Sequence, residues 1–234
     1  MSRYRDIFLD FDDTLYDTHG NACVALGVVF ERFGLGRWFE RLEDFTEPYW
    51  QTNEELWRQY AAGEIDRPYL ILERFRRPLS LGKGLEVTEA LCHEVSDFFL
   101  DCCCEQTGVV PGARELLEYL KGKGYRLHMT SNGFHEVQYR KLERVGMRGY
   151  FDTVVLSEDA GVNKPAREFF DYAFRVSGAE RGSTIMIGDN LMTDINGARL
   201  AGLPQIWYNP KGLALGDFEV THVVRELGEI KWVL

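Results

Sequence analysis

Ile7-Phe8-Leu9-Asp10-Phe11-Asp12-Asp13-Thr14-Leu15 decides how this chain is read, because an apolar run breaks into three carboxylates and a threonine within five residues. Like charges as close as Asp10 and Asp12 raise the pKa of one of the pair or call for a cation that neutralises both. One acid is then a candidate nucleophile and its neighbour a candidate proton donor. The plainer alternative is a solvated turn after a strand, since Asp and Thr commonly bond nearby backbone in loops. What separates the two readings is whether other polar clusters stand at other strand ends, as a site assembled from several loops requires.

Beyond about residue 107 the sequence alternates short β-type runs with helical patterns, the signature of a parallel sheet covered by helices. Strands are expected over Asp6 to Leu9, Tyr125 to Thr130, Thr153 to Leu156, Thr184 to Ile187, Gln205 to Tyr208 and Thr221 to Val224. Helices are expected near 112–122, 135–146, 165–177 and 192–201, with Gly124, Gly146, Gly178 and Gly202 at their C-terminal ends. The stretch between the first two strands is too long for a plain crossover. Ala22, Leu26, Val29, Phe30 and Phe33 recur there at helical spacing, with further patterns through 36–60, 66–77 and 87–104, so 16–106 reads as a helical insertion. Its Trp38, Trp50, Trp57, Tyr49, Tyr60 and Tyr69 read mostly as core, because a small helical domain needs large side chains inside.

Three further clusters close strands. The second strand ends in Thr130-Ser131-Asn132-Gly133, a turn able to present a hydroxyl and N–H groups to an anion at the start of a helix. After the third comes Asn163-Lys164-Pro165, where Pro165 suits a first helical turn and Lys164 can hold a phosphate oxygen and a nucleophilic carboxylate together. The fourth stops at Gly188-Asp189-Asn190 and reaches Asp194. Oxygen ligands on separate strands suit Mg²⁺. With right-handed crossovers all four clusters emerge at the carboxyl edge of one sheet. Counting Asp10, Asp12, Asp189 and Asp194 against Lys164 and a magnesium ion leaves one net negative charge, so a phosphate dianion would be repelled without the metal.

Composition limits the partners. A net charge of −10 over 234 residues argues against a nucleic-acid polymer or an anionic membrane surface. The run Arg74-Phe75-Arg76-Arg77 reads as a local, exposed helix face. Five cysteines, three of them consecutive at Cys102-Cys103-Cys104, fit neither a disulfide framework nor paired zinc spacing. Cys23 and Cys92 read as small core residues. No apolar stretch reaches membrane-spanning length and Met1 to Asp6 leads straight into the first strand, so a soluble cytoplasmic protein is expected. Oligomeric state is left open.

In order and spacing the four motifs resemble those of the haloacid dehalogenase superfamily of phosphohydrolases, over the whole chain. The resemblance implies a Rossmann-like parallel α/β core, residues 1–15 and 107–234, with a C1-type helical cap at 16–106 controlling substrate access. It implies that Asp10 attacks phosphorus to form an aspartyl phosphate and that Asp12 protonates the leaving group and then activates water. Ser131, the Asn132 amide and Lys164 would hold the phosphoryl oxygens. Mg²⁺ would take the Asp10 carboxylate, the Asp12 main-chain carbonyl and Asp189, with Asp194 mainly orienting that set. Dehalogenases of the superfamily lack the second aspartate and need no metal, so Asp12 and Asp189 favour a phosphatase. Asp-Asp-Thr-Leu-Tyr, Thr-Ser-Asn-Gly-Phe and Gly-Val-Asn-Lys-Pro are most similar to the nucleotidase branch acting on nucleoside monophosphates, with phosphoglycolate or a sugar phosphate as alternative substrates. Ser131 departs from the threonine of many relatives. A phosphoaccepting receiver would carry similar groups, but on one small domain without a helical insertion. A non-enzymatic binding protein gives no reason to gather every catalytic group.

Overall fold

The strand β1 (Asp6–Leu9) is buried over its whole length, as the centre of a sheet covered on both faces must be. The computed structural model describes residues 3–234. The other strands are β2 (Arg126–Ser131), β3 (Thr153–Leu156), β4 (Thr184–Gly188), β5 (Gln205–Tyr208) and β6 (His222–Val224). All pairings are parallel, in the order β3-β2-β1-β4-β5-β6. That order reverses between β1 and β4, which is where an open α/β sheet leaves a crevice at its carboxyl ends. Side chains alternate across the sheet with the period of two expected of strands. Ile7 and Leu9 pack with Leu127, Met129, Ile185 and Ile187 on one face, while Phe8 and Met186 pack with Phe169, Phe170 and Ala173 on the other.

Two compact units result. One runs through Thr18 and resumes from Gly108 to Leu234; the other is His19–Thr107. The division falls a few residues later than 15/16 and one later than 106/107. Tyr16 is the cause, since it bridges to Val109 and is fully buried in the sheet unit's core. The second unit contains nearly all of α1 (Thr18–Arg32), then α2 (Glu43–Ala61), α3 (Arg67–Leu79) and α4 (Glu89–Glu105). Asp66 and Thr88 cap the last two by accepting from Tyr69 N at 3.0 Å and Leu91 N at 3.2 Å, contacts of a kind contributing about 1 kcal/mol each. In the sheet unit follow α5 (Ala113–Gly122), α6 (His135–Arg144), the short α7 (Ser157–Ala160), α8 (Arg167–Ser177) and the short α9 (Gly197–Leu200).

Several sequence expectations are corrected. Pro165 is not in a helical turn, because α8 starts two residues later and Ala166 N closes a separate turn onto Asn163 O at 3.0 Å. The helix expected at 192–201 begins instead as a π-helical turn, Leu191–Asn196, in which Ile195 N donates to Asn190 O. The widening accompanies Asp194 folding back, its Oδ2 accepting from Asn190 N at 3.1 Å. Cys23 is exposed rather than core, since residues 22, 25, 26 and 29 form the buried stripe of α1 and position 23 falls off it. Of the six large aromatics in the insertion only Tyr49 is fully buried, and Tyr69 is exposed. Arg74 is buried, not part of an exposed basic face. Its guanidinium donates to Ser96 Oγ at 3.0 Å and lies over the Phe75 and Phe99 rings, so aromatic faces take the place of water around the charge. Among the described residues no helix is long and apolar enough to cross a membrane.

Candidate active site

Where β1 ends, the Asp10 N–H still donates to Ile187 O at 2.9 Å, so the ladder itself fixes the Asp10 carboxylate beside the end of β4. The Lys164 ammonium meets it there. It donates to Asp10 Oδ1 at 2.7 Å, Asp194 Oδ1 at 2.7 Å and Thr130 O at 2.8 Å, which uses all three of its protons. Burial works against the Lys164 charge, but the Asp10 and Asp194 carboxylates outweigh it and hold the pKa above the ordinary lysine value. Asn132 secures the loop that delivers this lysine. Its side-chain Nδ2 donates to Lys164 O at 2.9 Å and its Oδ1 accepts from Lys164 N at 2.8 Å. The Asn132 side chain is thus engaged with the Lys164 backbone through one of its two N–H donors and its oxygen.

Thr14 ties the two strand ends together. Its hydroxyl lies 3.1 Å from Asp10 Oδ2 and 3.0 Å from Asp189 Oδ1, and accepts from Asp189 N at 3.0 Å. One hydroxyl proton cannot serve both carboxylates at once, so the pair is short of positive charge. Burial first, and then the neighbouring Asp194 carboxylate, push the Asp10 pKa up to about 8 despite Lys164. Burial and the charge of Asp10 likewise push Asp189 well above the usual carboxylate range. Carboxylate oxygens of Asp10, Asp189 and Asp194 all lie within 4.8 Å of one another. Three hard oxygen donors on separate elements, two of them driven toward protonation, are what a dication such as Mg²⁺ would relieve. Gly188 makes room for this arrangement, because a Cβ there would overlap the Asp194 side chain.

Asp12 faces a different set of groups. Its Oδ1 accepts from Thr18 Oγ1 at 2.6 Å and Lys141 Nζ at 2.7 Å, and its Oδ2 accepts from Gln138 Nε2. Burial opposes ionisation, yet the Lys141 ammonium and these donors prevail and hold Asp12 below the ordinary carboxylate pKa. The Gln138 amide nitrogen also donates to Ser131 Oγ at 3.0 Å, while Oε1 of the same amide is buried without a partner. An orphaned buried acceptor costs about 1–3 kcal/mol, a loss of the same size as a hydrogen bond to a charged group contributes, so Asp12 and Ser131 dictate which way this amide faces. Gly133 is required beside it, since a Cβ would collide with Gln138, and the Gly133 N–H donates to Ser131 Oγ at 2.9 Å.

The expected Asp10, Lys164, Asp189 and Asp194 thus converge. Ser131 and Asp12 are joined through Gln138, and Asn132 acts on the Lys164 backbone. Sequence reading did not find Gln138 and Lys141. Their place shows only in the fold, where both occupy the buried stripe of α6 with Leu142, at positions where apolar residues belong. Including Lys141, the single negative charge left by the earlier count is cancelled once a magnesium ion is present. Asp13, unassigned by sequence, has φ 57°, a left-handed conformation that Asp tolerates better than most residues. It lets the chain turn so that Leu15 N and Tyr16 N both donate to Phe11 O at 2.9 Å.

Comparison with known proteins places the chain in a family. The HAD-hydrolase YfnB of Bacillus subtilis (strain 168) is 31% identical over 236 residues, spanning 100% of this chain and 97% of YfnB. A crystal structure of YfnB, described as bound to magnesium, aligns with a TM-score of 0.89 at 30% identity, covering 100% of this chain and 99% of the other. Pyrimidine 5'-nucleotidase YjjG of Escherichia coli (strain K12) is 34% identical over 97% of this chain and 96% of its own length. Glyceraldehyde 3-phosphate phosphatase of Methanothermobacter thermautotrophicus is 32% identical over 93% of this chain and 89% of its own length. The family model for haloacid dehalogenase-like hydrolase matches residues 4–202. With that match spanning most of the sequence, the chain belongs to the haloacid dehalogenase-like hydrolases.

Proposed function

We propose that the protein is a magnesium-dependent phosphomonoesterase acting on nucleoside monophosphates, with Asp10 as nucleophile. The observation carrying this reading is the Asp10 carboxylate, held at the sheet's switch point between the Lys164 ammonium and the Thr14 hydroxyl and beside Asp189 and Asp194. Asp10, Asp189 and the Asp12 carbonyl would hold the ion, with Asp194 orienting Lys164; when bound, Mg²⁺ supplies positive charge against the transferring phosphoryl group.

In the first step an Asp10 oxygen bonds to phosphorus and the ester P–O bond breaks. Its electron pair leaves on the alcohol oxygen, which takes a proton from Asp12; this carboxyl is ionised in the free protein, and the negative charge of the bound phosphate raises its pKa so that it carries that proton in the complex. In the second, water attacks the aspartyl phosphate and gives a proton back to Asp12. The bond between phosphorus and Asp10 breaks, and the carboxylate and inorganic phosphate are released. Lys164 stays on the Asp10 side throughout, and Ser131 is placed to donate its hydroxyl to a phosphoryl oxygen, since Oγ already accepts from Gly133 and Gln138.

The helical unit His19–Thr107 is assigned control of substrate access, in a protein that works in the cytoplasm. The nucleotide preference rests on the motif wording, on the aromatic content of that unit and on the similarity to YjjG. The test is turnover of 4-nitrophenyl phosphate followed by a panel of phosphomonoesters. Turnover requires Mg²⁺, stops with chelator, and falls by at least about 10³-fold in Asp10→Asn. Activity that survives both treatments rules the mechanism out. On the panel, nucleoside monophosphates rank first; a clear preference for glyceraldehyde 3-phosphate or another sugar phosphate refutes the substrate assignment alone.

A further inference from the structure

Gln138 and Lys141 are 1% and 6% exposed, although neither side chain gains from leaving water unless it is paired. Both are paired with the same carboxylate. The Lys141 ammonium sits 2.7 Å from Asp12 Oδ1 and 4.9 Å from the centre of the Tyr16 ring, so its neighbours are the acid and an aromatic face. Gln138 spends one amide N–H on Asp12 and the other on Ser131. It thereby links the group that handles the proton to the hydroxyl placed for a phosphoryl oxygen. Thr18 completes the cradle, donating to the same Asp12 Oδ1 that Lys141 holds. This carboxylate is drawn toward α6, while Asp10, Asp189 and Asp194 form the separate acidic group. Without α6, four carboxylates would share one crevice with Lys164 alone.

We propose that Lys141 and Gln138 are positioning residues for the proton-transfer steps: they hold the Asp12 carboxyl apart from the metal-facing acids, in register with Ser131. The role rests on the phosphomonoesterase reading above. Its consequence depends on the leaving group. An ester that expels a stable phenolate hardly needs a proton in the first step, whereas one that expels a poor leaving group needs it fully. The second step needs Asp12 to accept a proton from water whatever the ester was.

The experiment compares wild type, Lys141→Met, Lys141→Arg and Gln138→Leu by rapid-mixing kinetics on 2,4-dinitrophenyl phosphate and phenyl phosphate with Mg²⁺ present. For phenyl phosphate, kcat falls by about 10²-fold in Lys141→Met, the low end of what general acid–base catalysis contributes, while KM changes by less than about threefold. With the dinitrophenyl ester the variant releases one equivalent of phenolate per site in a fast burst and then turns over slowly, because the phosphoenzyme waits for its water. Lys141→Arg, which keeps the charge, restores a substantial part of kcat. Gln138→Leu shows the same leaving-group dependence with a smaller loss, and carries the test if Lys141→Met does not fold. Equal losses on both esters without a burst, or unchanged kinetics, overturn the positioning role. Wild-type enzyme that hydrolyses neither ester with Mg²⁺ overturns the phosphomonoesterase reading, and this role with it.

Discussion

Buried charge is handled in opposite ways in the two units. In the helical unit the partners are near in sequence. Glu73 is paired with Arg76 and Arg77, three and four residues on along α3, and Arg74 reaches Ser96 only 22 positions away. In the sheet unit, Lys164 and Asp10 are 154 positions apart and Lys141 and Asp12 are 129 apart. A helix that forms in the first unit brings its ion pairs with it, because residues three and four apart are neighbours on any helix. The second kind of pair exists only when the sheet has closed in its particular strand order. Its energetics are therefore a property of the fold, and mutations there should be much more costly.

Lys164→Met makes the comparison at its largest. The substitution keeps most of the volume but leaves the Asp10 and Asp194 carboxylates buried against each other with no cation between them. Removing one partner of a buried ion pair costs about 3–5 kcal/mol, so urea unfolding without divalent cation, at a pH above the raised Asp10 value of about 8 where this carboxyl is ionised, should show a loss of that size. Added Mg²⁺ should recover part of it. A loss under about 1 kcal/mol would mean that the two acids are not ionised together in the native protein, and that Lys164 is not what keeps them so.

The effect of pH on metal binding comes next in size. Burial and the neighbouring Asp194 raise Asp10 to about 8, with Asp189 also raised. A raised carboxyl is protonated below that value in the metal-free protein, so a binding cation must displace the proton. The sign follows. Mg²⁺ affinity should rise as pH increases toward about 8 and weaken below it, by up to about tenfold per pH unit for one displaced proton. Titration calorimetry at several pH values, in buffers of different ionisation enthalpy, measures both the affinity and the proton release. Affinity independent of pH between 6 and 8 would show that a cation does not compete with protons for these carboxylates.

How far the sequence discloses each region follows from the same distinction. The acids that end β1 and β4 are visible because an apolar run stops abruptly at each, and Lys164 because a turn and a proline isolate it. The bounds of β3 and β5 fall where composition places them. Gln138 and Lys141 are hidden in His135–Arg144, a stretch with the composition of a solvated helix. Only the packing of α6 against the site reveals that its polar positions are its inner ones. Arg74 reads as exposed for a similar reason, since a run of arginines looks like surface until the Phe75 and Phe99 rings and Ser96 are placed around it. The π-helical turn after Asn190 has no local signature either. Its cause is Asp194 folding back to Asn190 while also accepting from Lys164.

The smallest expected effect lies in the helical unit and tests the other half of the comparison. Arg77 is paired with Glu73 at 3.1 Å and Glu55 at 3.2 Å, with a third of its own side chain exposed. Arg77→Ala leaves Glu73 still joined to Arg76, so no buried carboxylate is stranded. Screened pairs of this kind contribute about 0.2–1 kcal/mol, and the loss in urea unfolding should stay within that range and shrink further at high salt. Activity toward the preferred phosphomonoester should be unchanged within about twofold, since a loss of this size leaves the folded population essentially intact. A cost approaching that of Lys164→Met would mean that Arg77 carries a tertiary load in the helical unit, and that its charges are not organised by helix spacing after all.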